Sequence, residues 1–377
     1  MTAAAQDSPV KTVVFPRDGR TVHRIPSIVV STHGTILAFA DRRVGSRSDW
    51  GHRTDVVLRR STDDGETWQP VQTLFGQDSV CAHGGPAVVD RRTGRVFKFF
   101  RKAPTAFKNS AEMVTAMADR QEHAKWWEWG AGNYVCRSDD DGKTWTEPKR
   151  LKINHPEIKD LTQVGNGVHG VQLDDGTLVI QGGGGLRPHL QRWEDNSKLS
   201  FLLLNTNGGK TWEIGAQWYV AGAMREFALA PLAGGRLYVN QRARSFRRVA
   251  WLKGVQDETV TQQPDKNLID PGCHAGLVML RQAVDGQSVL LFSNPPNVNP
   301  HPDEFYPEGR YGLALRMSLD EGKTWSPARQ LEKGLSAYSD LAEGRDGTIY
   351  CLYETGKSFY SENVTVARFG IEWLQTE

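Results

Sequence analysis

An all-β fold assembled from repeated four-stranded units, a β-propeller, is what this chain predicts, and three observations carry the prediction. One eight-residue pattern recurs four times: Ser61-Thr-Asp-Asp-Gly-Glu-Thr-Trp68, Ser138-Asp-Asp-Asp-Gly-Lys-Thr-Trp145, Asn205-Thr-Asn-Gly-Gly-Lys-Thr-Trp212 and Ser318-Leu-Asp-Glu-Gly-Lys-Thr-Trp325. The copies begin at 61, 138, 205 and 318, so the gaps are 77, 67 and 113 residues. Gaps of that size fit four-stranded units that bury their faces against their neighbours. Glycine is abundant, 38 of 377 residues, and apolar runs are short, as a β protein with many turns requires.

Each copy reads as a tight turn between two strands. The Asp or Asn at the third position bonds its own backbone, the Gly takes a positive φ, and the Thr-Trp pair starts the next strand and plugs a small core. The aspartates of the pattern are read as structural, without a catalytic role. The widest gap leaves room for a unit that has lost its copy. The best helical stretch, 110–127, is read as a short excursion between strands. A last strand is expected within 363–373, where Val364, Val366 and Phe369 look half buried. By joining the first unit it would close the ring and remove open edges. Residues 1–9 read as a loose tail and 10–377 as one domain.

Composition narrows the function. With 46 basic and 44 acidic residues the net charge is +2, which gives no bulk argument for nucleic acid. No run approaches the ~20 apolar residues of a membrane span. The start, Met1-Thr-Ala-Ala-Ala-Gln-Asp, has neither a basic region nor an apolar one, so no signal peptide is visible. The expected location is cytoplasmic, or secreted or periplasmic where a leader has been removed. Cys81, Cys136, Cys273 and Cys351 are far apart with no CxxC spacing, which favours buried free thiols over a zinc site and leaves one disulfide open. His83, His169 and His274 lack ligand spacing and no G-x-S-x-G elbow is present, so no metal or cofactor is expected.

The chemistry-bearing residues lie between the repeats. In His23-Arg24-Ile25-Pro26-Ser27 the proline fixes its own φ and restricts its predecessor, which holds Arg24 on a rigid backbone. Alone, this is a surface arginine at a strand start. The repeated register Ser-x-Asp-x-Gly-x-Thr-Trp, however, resembles the Asp box of the sialidase superfamily. Arg24-Ile-Pro resembles the motif that opens the sialidase catalytic domain. The resemblance continues in family order to about Glu354, and it implies a six-bladed propeller.

The site residues follow from that resemblance. Phe39-Ala-Asp-Arg-Arg43 is similar to the strand end before the acid/base loop, which puts Asp41 and Arg43 beside the substrate. Ser48-Asp49-Trp50-Gly51 is similar to the catalytic aspartate loop and makes Asp49 the general acid/base; from sequence alone Asp41 and Asp55 compete for that role. The stretch from Arg225-Glu226 to Asn240-Gln-Arg242 is similar to a hairpin signature that brings Glu226 and Arg242 to one site. Without it, Glu226 reads as a solvated strand end or a partner for Arg225. The nearby Arg244, Arg247 and Arg248 read as mostly solvated surface. Arg310 takes the third arginine position, and Arg316 reads as a structural residue beside the last box. Tyr338, in Ala337-Tyr-Ser-Asp-Leu341, takes the nucleophile position. Tyr353 reads as core, and Glu354 is expected to hold Arg24.

The residue types suit the implied reaction. Sialic acid carries a carboxylate on its anomeric carbon, and guanidinium forks match carboxylate oxygens while staying charged. A carboxylate nucleophile would meet that group with like charge; a phenol does not, and a tyrosine nucleophile departs from the two-carboxylate pattern for this reason. A phenol titrates near ~10 in water, so it needs a base, here Glu226. Asp49 then protonates the leaving oxygen and later activates water, giving net retention. The expected activity is that of a retaining exo-α-sialidase on sialylated glycans.

One segment departs from the family pattern. Cys81-Ala-His-Gly-Gly-Pro86 has Gly85 where an Asp is expected to serve the N-acyl side of the sugar, with His83 as the substitute. The C5 preference therefore stays open between N-acetyl, N-glycolyl and deaminated sugars. Two further readings share the motifs: a hydrolase of the deaminated sugar and an intramolecular trans-sialidase. A non-catalytic glycan-binding propeller is the remaining rival, and it has no need of the Asp49, Glu226 and Tyr338 set. Trp126, Trp127 and Trp129 either pack an insertion onto the propeller or wall the entrance.

Overall fold

The computed structural model describes residues 8–106, 112, 130–154, 162–165, 167–184, 191–192, 197–220, 226–298 and 309–375. The stretch 110–127 (residue 112 aside), Trp126, Trp127, Trp129, Arg225 and residues 1–7 of the tail lie outside them.

The chain is all-β. Among the described residues the strand ladders divide into five sheets of four, eight, seven, four and four strands. The eight-stranded sheet consists of two successive meanders, 22–75 and 80–150, joined by a single parallel pair, Thr54 with Cys81. The ladders therefore do not separate into six isolated four-stranded units. The first strands of successive meanders nevertheless pack in a circular series. Val22–Val30 lies against Val80–Asp90, which lies against Val171–Gln172; Phe227–Pro231, Gly276–Val284 and Leu335–Glu343 follow, and the last returns to Val22–Val30. Val22–Val30, Val80–Asp90 and Leu335–Glu343 are buried along nearly their whole length, Gly276–Val284 only in its first half, and the apolar cores lie between consecutive sheets.

The ends of the chain meet, but not as the sequence predicts. Asn363–Phe369 stays with its own meander beside Ile349–Gly356, and the N-terminal strand Val10–Phe15 crosses over to pair with it. Edge protection is thus supplied by the first strand joining the last sheet.

Each box begins on the last residue of a strand: Ser61, Ser138, Asn205 and Ser318. In the second box, Asp140 Oδ1 accepts from the Ser138 hydroxyl at 2.8 Å and from Thr144 N at 2.9 Å, while Gly142 N donates to Ser138 Oγ at 2.8 Å. The third box runs the same bonds through amides, with Gly209 N on Asn205 Oδ1 at 2.8 Å and Thr211 N on Asn207 Oδ1 at 3.1 Å. Two consecutive residues carry positive φ, for example Asp141 at 57° and Gly142 at 76°, so the residue before the glycine (Asp in two boxes, Gly and Glu in the others) shares the left-handed requirement. Only Trp212 starts a strand. After Trp68, Trp145 and Trp325 the next strand opens four residues later. Trp212 is fully buried, edge-on to Phe97 and Phe99 across the sheet interface. The sheet spanning 227–270, inside the widest gap, has no box.

Arg24, His83 and Tyr338 lie within the first four residues of their inner strands, and Glu226 and His274 just before theirs. At the opposite ends, residues including Val30, Arg91, Pro231, Met279 and Glu343 line a cavity of about 310 Å³. Between the two ends sits a buried carboxylate, Asp340, which accepts from Ile28 N and Leu341 N and faces His169 Nδ1, each at 2.9 Å.

Candidate active site

Arg24 stands where its strand bulges: the register with Ile36–Arg43 breaks between Arg24 and Ser27. Ile25 has a φ of 58°, a left-handed conformation that is costly for a β-branched residue and for one preceding proline, of order 1–3 kcal/mol. The strain is held from outside. Glu354 Oε1 accepts from Ile25 N at 3.0 Å and from Arg24 Nε at 2.9 Å, and Oε2 accepts from Arg24 Nη2 at 3.1 Å. One buried carboxylate therefore fixes both the side chain and the backbone that carries it.

Tyr338 also sits on a bulge, between Ser336 and Ser339 of its strand. Its ring is the point where three arginines converge. The guanidinium carbons of Arg24, Arg242 and Arg310 lie 5.3, 5.7 and 5.7 Å from the ring centroid. The phenol donates to Glu226, with Oε1 at 2.9 Å and Oε2 at 3.1 Å, and Arg242 Nη1 donates to the phenol oxygen at 2.6 Å and pairs with Glu226 Oε2. The hairpin 227–241 makes this possible: Phe227 pairs with Gln241, and Arg242 N donates to Glu226 O at 2.9 Å. Burial pushes the Tyr338 phenol well above its ordinary value; Arg242 pulls it down and Glu226 adds to the rise. The resting phenol is therefore neutral.

Arg310 is buried, and Nη2 donates to Gly272 O at 3.2 Å. Arg316 lies elsewhere, donating to Ser326 O within the last box hairpin. Tyr360, which sequence reading missed, is flanked by Arg24 at 5.3 Å and Arg310 at 4.8 Å. It lies in the turn between the two closing strands, where no repeat or spacing marks it.

Asp49 lies on an exposed loop, its side chain 57% accessible, and its Oδ1 is 2.5 Å from Arg43 Nη2 and 3.7 Å from Arg24 Nη1. Burial works to raise its carboxyl, but Arg43, Arg24 and His83 outweigh it and hold Asp49 well below the ordinary carboxylate range. Arg43 itself is buried, with Nη1 on Arg47 O at 2.8 Å, and so anchors the loop as well as the acid. Asp41 is fully buried and accepts from Gly84 N at 2.7 Å. Asp55 is buried between Arg42 and Arg53, away from these groups, as a local ion-pair centre.

His83 is buried beside Asp41, and the Trp50 ring packs on it at 4.9 Å. The Arg101 guanidinium lies 5.2 Å from the Trp50 ring, a neighbour that sequence reading also missed. A Cβ at Gly85 would meet Val164 Cγ2 at 2.8 Å and Gly165 O at 3.0 Å. A side chain there would point between sheets, so Gly85 does not occupy the place of a substrate-facing aspartate. Arg247 corrects a second expectation. It is fully buried, not solvated, bonded to Asn240 Oδ1 at 2.6 Å, Asp270 Oδ2 at 3.0 Å and Cys273 O at 2.8 Å. Tyr353 is buried in the core and donates to Glu332 at 3.2 Å.

The comparisons with known proteins agree with the repeated boxes. The model of the BNR repeat-like domain matches residues 83–351, well over half of the chain. The chain belongs to the BNR repeat-like family. Its relatives put this BNR repeat-like protein in the sialidase superfamily. It is 29% identical to a sialidase of Bacteroides fragilis over 90% of its own length and 61% of that protein's. It is 28% identical to a sialidase of Micromonospora viridifaciens, covering 95% of this chain and 53% of the relative. An exo-alpha-sialidase of Aspergillus fumigatus is 27% identical, with 93% and 84% covered. The chain thus spans only about half to six tenths of the length of the first two. Among solved structures, the Hadza microbial sialidase Hz136 superposes with a TM-score of 0.75 at 24% identity, over 93% of this chain and 66% of that one. The intramolecular trans-sialidase from Ruminococcus gnavus superposes with a TM-score of 0.73 at 16% identity, over 97% and 98%. At these identities the structures share the fold with this BNR repeat-like chain.

Proposed function

We propose that this protein is a retaining exo-α-sialidase, a six-bladed propeller that releases terminal sialic acids from glycans through a tyrosine nucleophile. The observation that carries the reading is the convergence at Tyr338: a neutral phenol bonded to Glu226 and ringed by Arg24, Arg242 and Arg310. A glycan-binding module has no use for a phenol–carboxylate pair. The circular series of six inner strands supports the blade count.

Each residue has a role. The three arginines grip the substrate carboxylate, and Glu354 keeps Arg24 oriented and offsets its charge. That anion, drawn to the arginines above Tyr338, brings the anomeric carbon over the phenol. Glu226 takes the phenol proton as the C–O bond to the enzyme forms, and Asp49 protonates the leaving glycosidic oxygen. Asp49 then removes a proton from water, which opens the tyrosyl intermediate with a second inversion. Arg43 positions Asp49, and Asp41 and His83 form the wall beside Trp50. The test is hydrolysis of an aryl α-sialoside, with release of the α-anomer followed by NMR. Absence of turnover, or appearance of an anhydro product, would sink the hydrolase reading.

A further inference from the structure

The four cysteines are all buried and unpaired, and among the described residues Cys81 alone has an imidazole bonded to its sulfur. Burial pushes the Cys136 and Cys273 thiols up to about 12 and Cys351 higher still. Cys81 differs. Its Sγ lies 3.2 Å from His83 Nε2, 3.6 Å from Thr54 Oγ1 and 3.3 Å from the backbone carbonyl oxygen of Asp49. On the other side of the ring, His83 Nδ1 faces Asp41 Oδ2 at 3.6 Å. That oxygen belongs to a fully buried carboxylate and, among the described residues, accepts no hydrogen bond, while Oδ1 is taken by Gly84 N.

Thiol, imidazole and carboxylate therefore stand in line. The imidazole can take the thiol proton, and the carboxylate behind it steadies the imidazolium. The electrostatics run the same way. Burial works to raise Cys81, but His83 brings the thiol below its ordinary value. Burial works to lower His83, but Cys81 and Asp41 hold it at about 9. Arg101 is the opposing charge: it disfavours the imidazolium and favours the thiolate.

We propose that Cys81 is a reactive thiol whose oxidation by peroxide switches the site off through Asp49. The switch rests on the assignment of Asp49 as acid/base made above. The thiolate sulfur attacks one peroxide oxygen and the O–O bond breaks. The departing hydroxide takes the imidazolium proton of His83 and leaves as water. Sulfur is oxidised to the sulfenic acid and the peroxide is reduced. The added oxygen meets a sulfur already in contact with the Asp49 carbonyl, Thr54 and His83. The loop 44–53, whose residues 44, 45, 47, 48, 49 and 51 are exposed, is the element free to give way. Its displacement takes Asp49 off Arg43 and Arg24. Excess thiol reverses the step, two thiols yielding water, a disulfide and the restored cysteine.

The experiment treats the full chain briefly with hydrogen peroxide, traps sulfenic acid with dimedone, maps the adducts by mass spectrometry and assays the same samples on an aryl α-sialoside. Cys81 is expected to carry at least about tenfold more adduct than any other cysteine. Activity falls in step with the adduct, returns with dithiothreitol, and persists under the same peroxide in Cys81→Ser. Equal labelling of all four cysteines overturns the reactive thiol. A Cys81 adduct with full activity, or equally fast inactivation of Cys81→Ser, overturns the switch. If Cys81→Ser does not fold, the wild-type time courses decide: adduct and activity out of step overturn the switch. The adduct is read without turnover, so a chain that cleaves no sialoside refutes the proposed function and still tests Cys81.

Discussion

Tyr338 and Glu226 share a hydrogen bond, with the phenol oxygen 2.9 Å from one carboxylate oxygen and 3.1 Å from the other. Arg242 binds both partners, so the pair is fixed as a unit. Burial keeps the phenol protonated at rest. In the proposed mechanism, attack requires a base already in contact, and Glu226 meets that geometric condition without further movement.

Glu226→Gln keeps the shape of the side chain and its contact with Tyr338 but removes the proton acceptor. kcat on an aryl α-sialoside is expected to fall about 10²–10⁴-fold with little change in KM. Tyr338→Phe, which removes the attacking oxygen, falls at least as far. A Glu226→Gln enzyme within threefold of wild type would mean that another group takes the proton.

Glu354 and Arg24 form a buried pair that also holds the left-handed Ile25. Glu354→Ala leaves the guanidinium without its carboxylate and is expected to destabilise the fold by about 3–5 kcal/mol in urea titrations. The double variant Glu354→Leu with Arg24→Met removes both charges and is expected to recover much of that loss while remaining inactive. If the double variant is no more stable than Glu354→Ala, the cost comes from Ile25 strain or lost packing instead of the orphaned charge.

Much of this site was legible because its parts are tied to local sequence. The boxes mark strand ends through side chains that bond within four residues, and Arg24-Ile-Pro marks a rigid strand start through its proline. What depends on distant packing was not legible. Arg247 looks like a surface charge beside Arg244 and Arg248, yet Asp270 and Cys273, more than twenty residues away, enclose it. Tyr360 and Arg101 reach the site through folding alone. The N-terminal strand could not be assigned to the last sheet because an edge pairing between chain ends leaves no periodic trace. Gly85 was misread because one residue of register at the bulge between Gly84 and Ala87 decides which face a side chain takes.

The boxes are assigned to stability and not to chemistry, and Asp140 tests this. Its carboxylate closes the second box through Ser138, Thr144 N and the Thr144 hydroxyl. Asp140→Ala is expected to cost about 1–3 kcal/mol in denaturant unfolding, reduced where water reaches the freed groups. kcat/KM per folded molecule stays unchanged. A drop in kcat/KM at full folding would give the box a role in the site.

The proposed acid/base, Asp49, presents the sharpest test through pH. Arg43 and Arg24 hold Asp49 below the ordinary carboxylate range, so in the free protein it is ionised at neutrality. A depressed folded-state value contributes stability above the unfolded pKa near ~3.9, lost only as pH falls further, so stability around neutrality does not report it. Activity does. The protonated acid grows about tenfold per unit of falling pH, so kcat/KM is expected to rise from pH 7 toward pH 5. A bound substrate carboxylate neutralises Arg24, one of the two nearest charges, so the alkaline limb of kcat should lie at higher pH than that of kcat/KM. Arg43→Ala removes the nearer charge and should move both limbs upward while lowering the rate at the optimum, because the loop loses its anchor. Limbs that stay in place in Arg43→Ala would show that Asp49 is not the titrating acid.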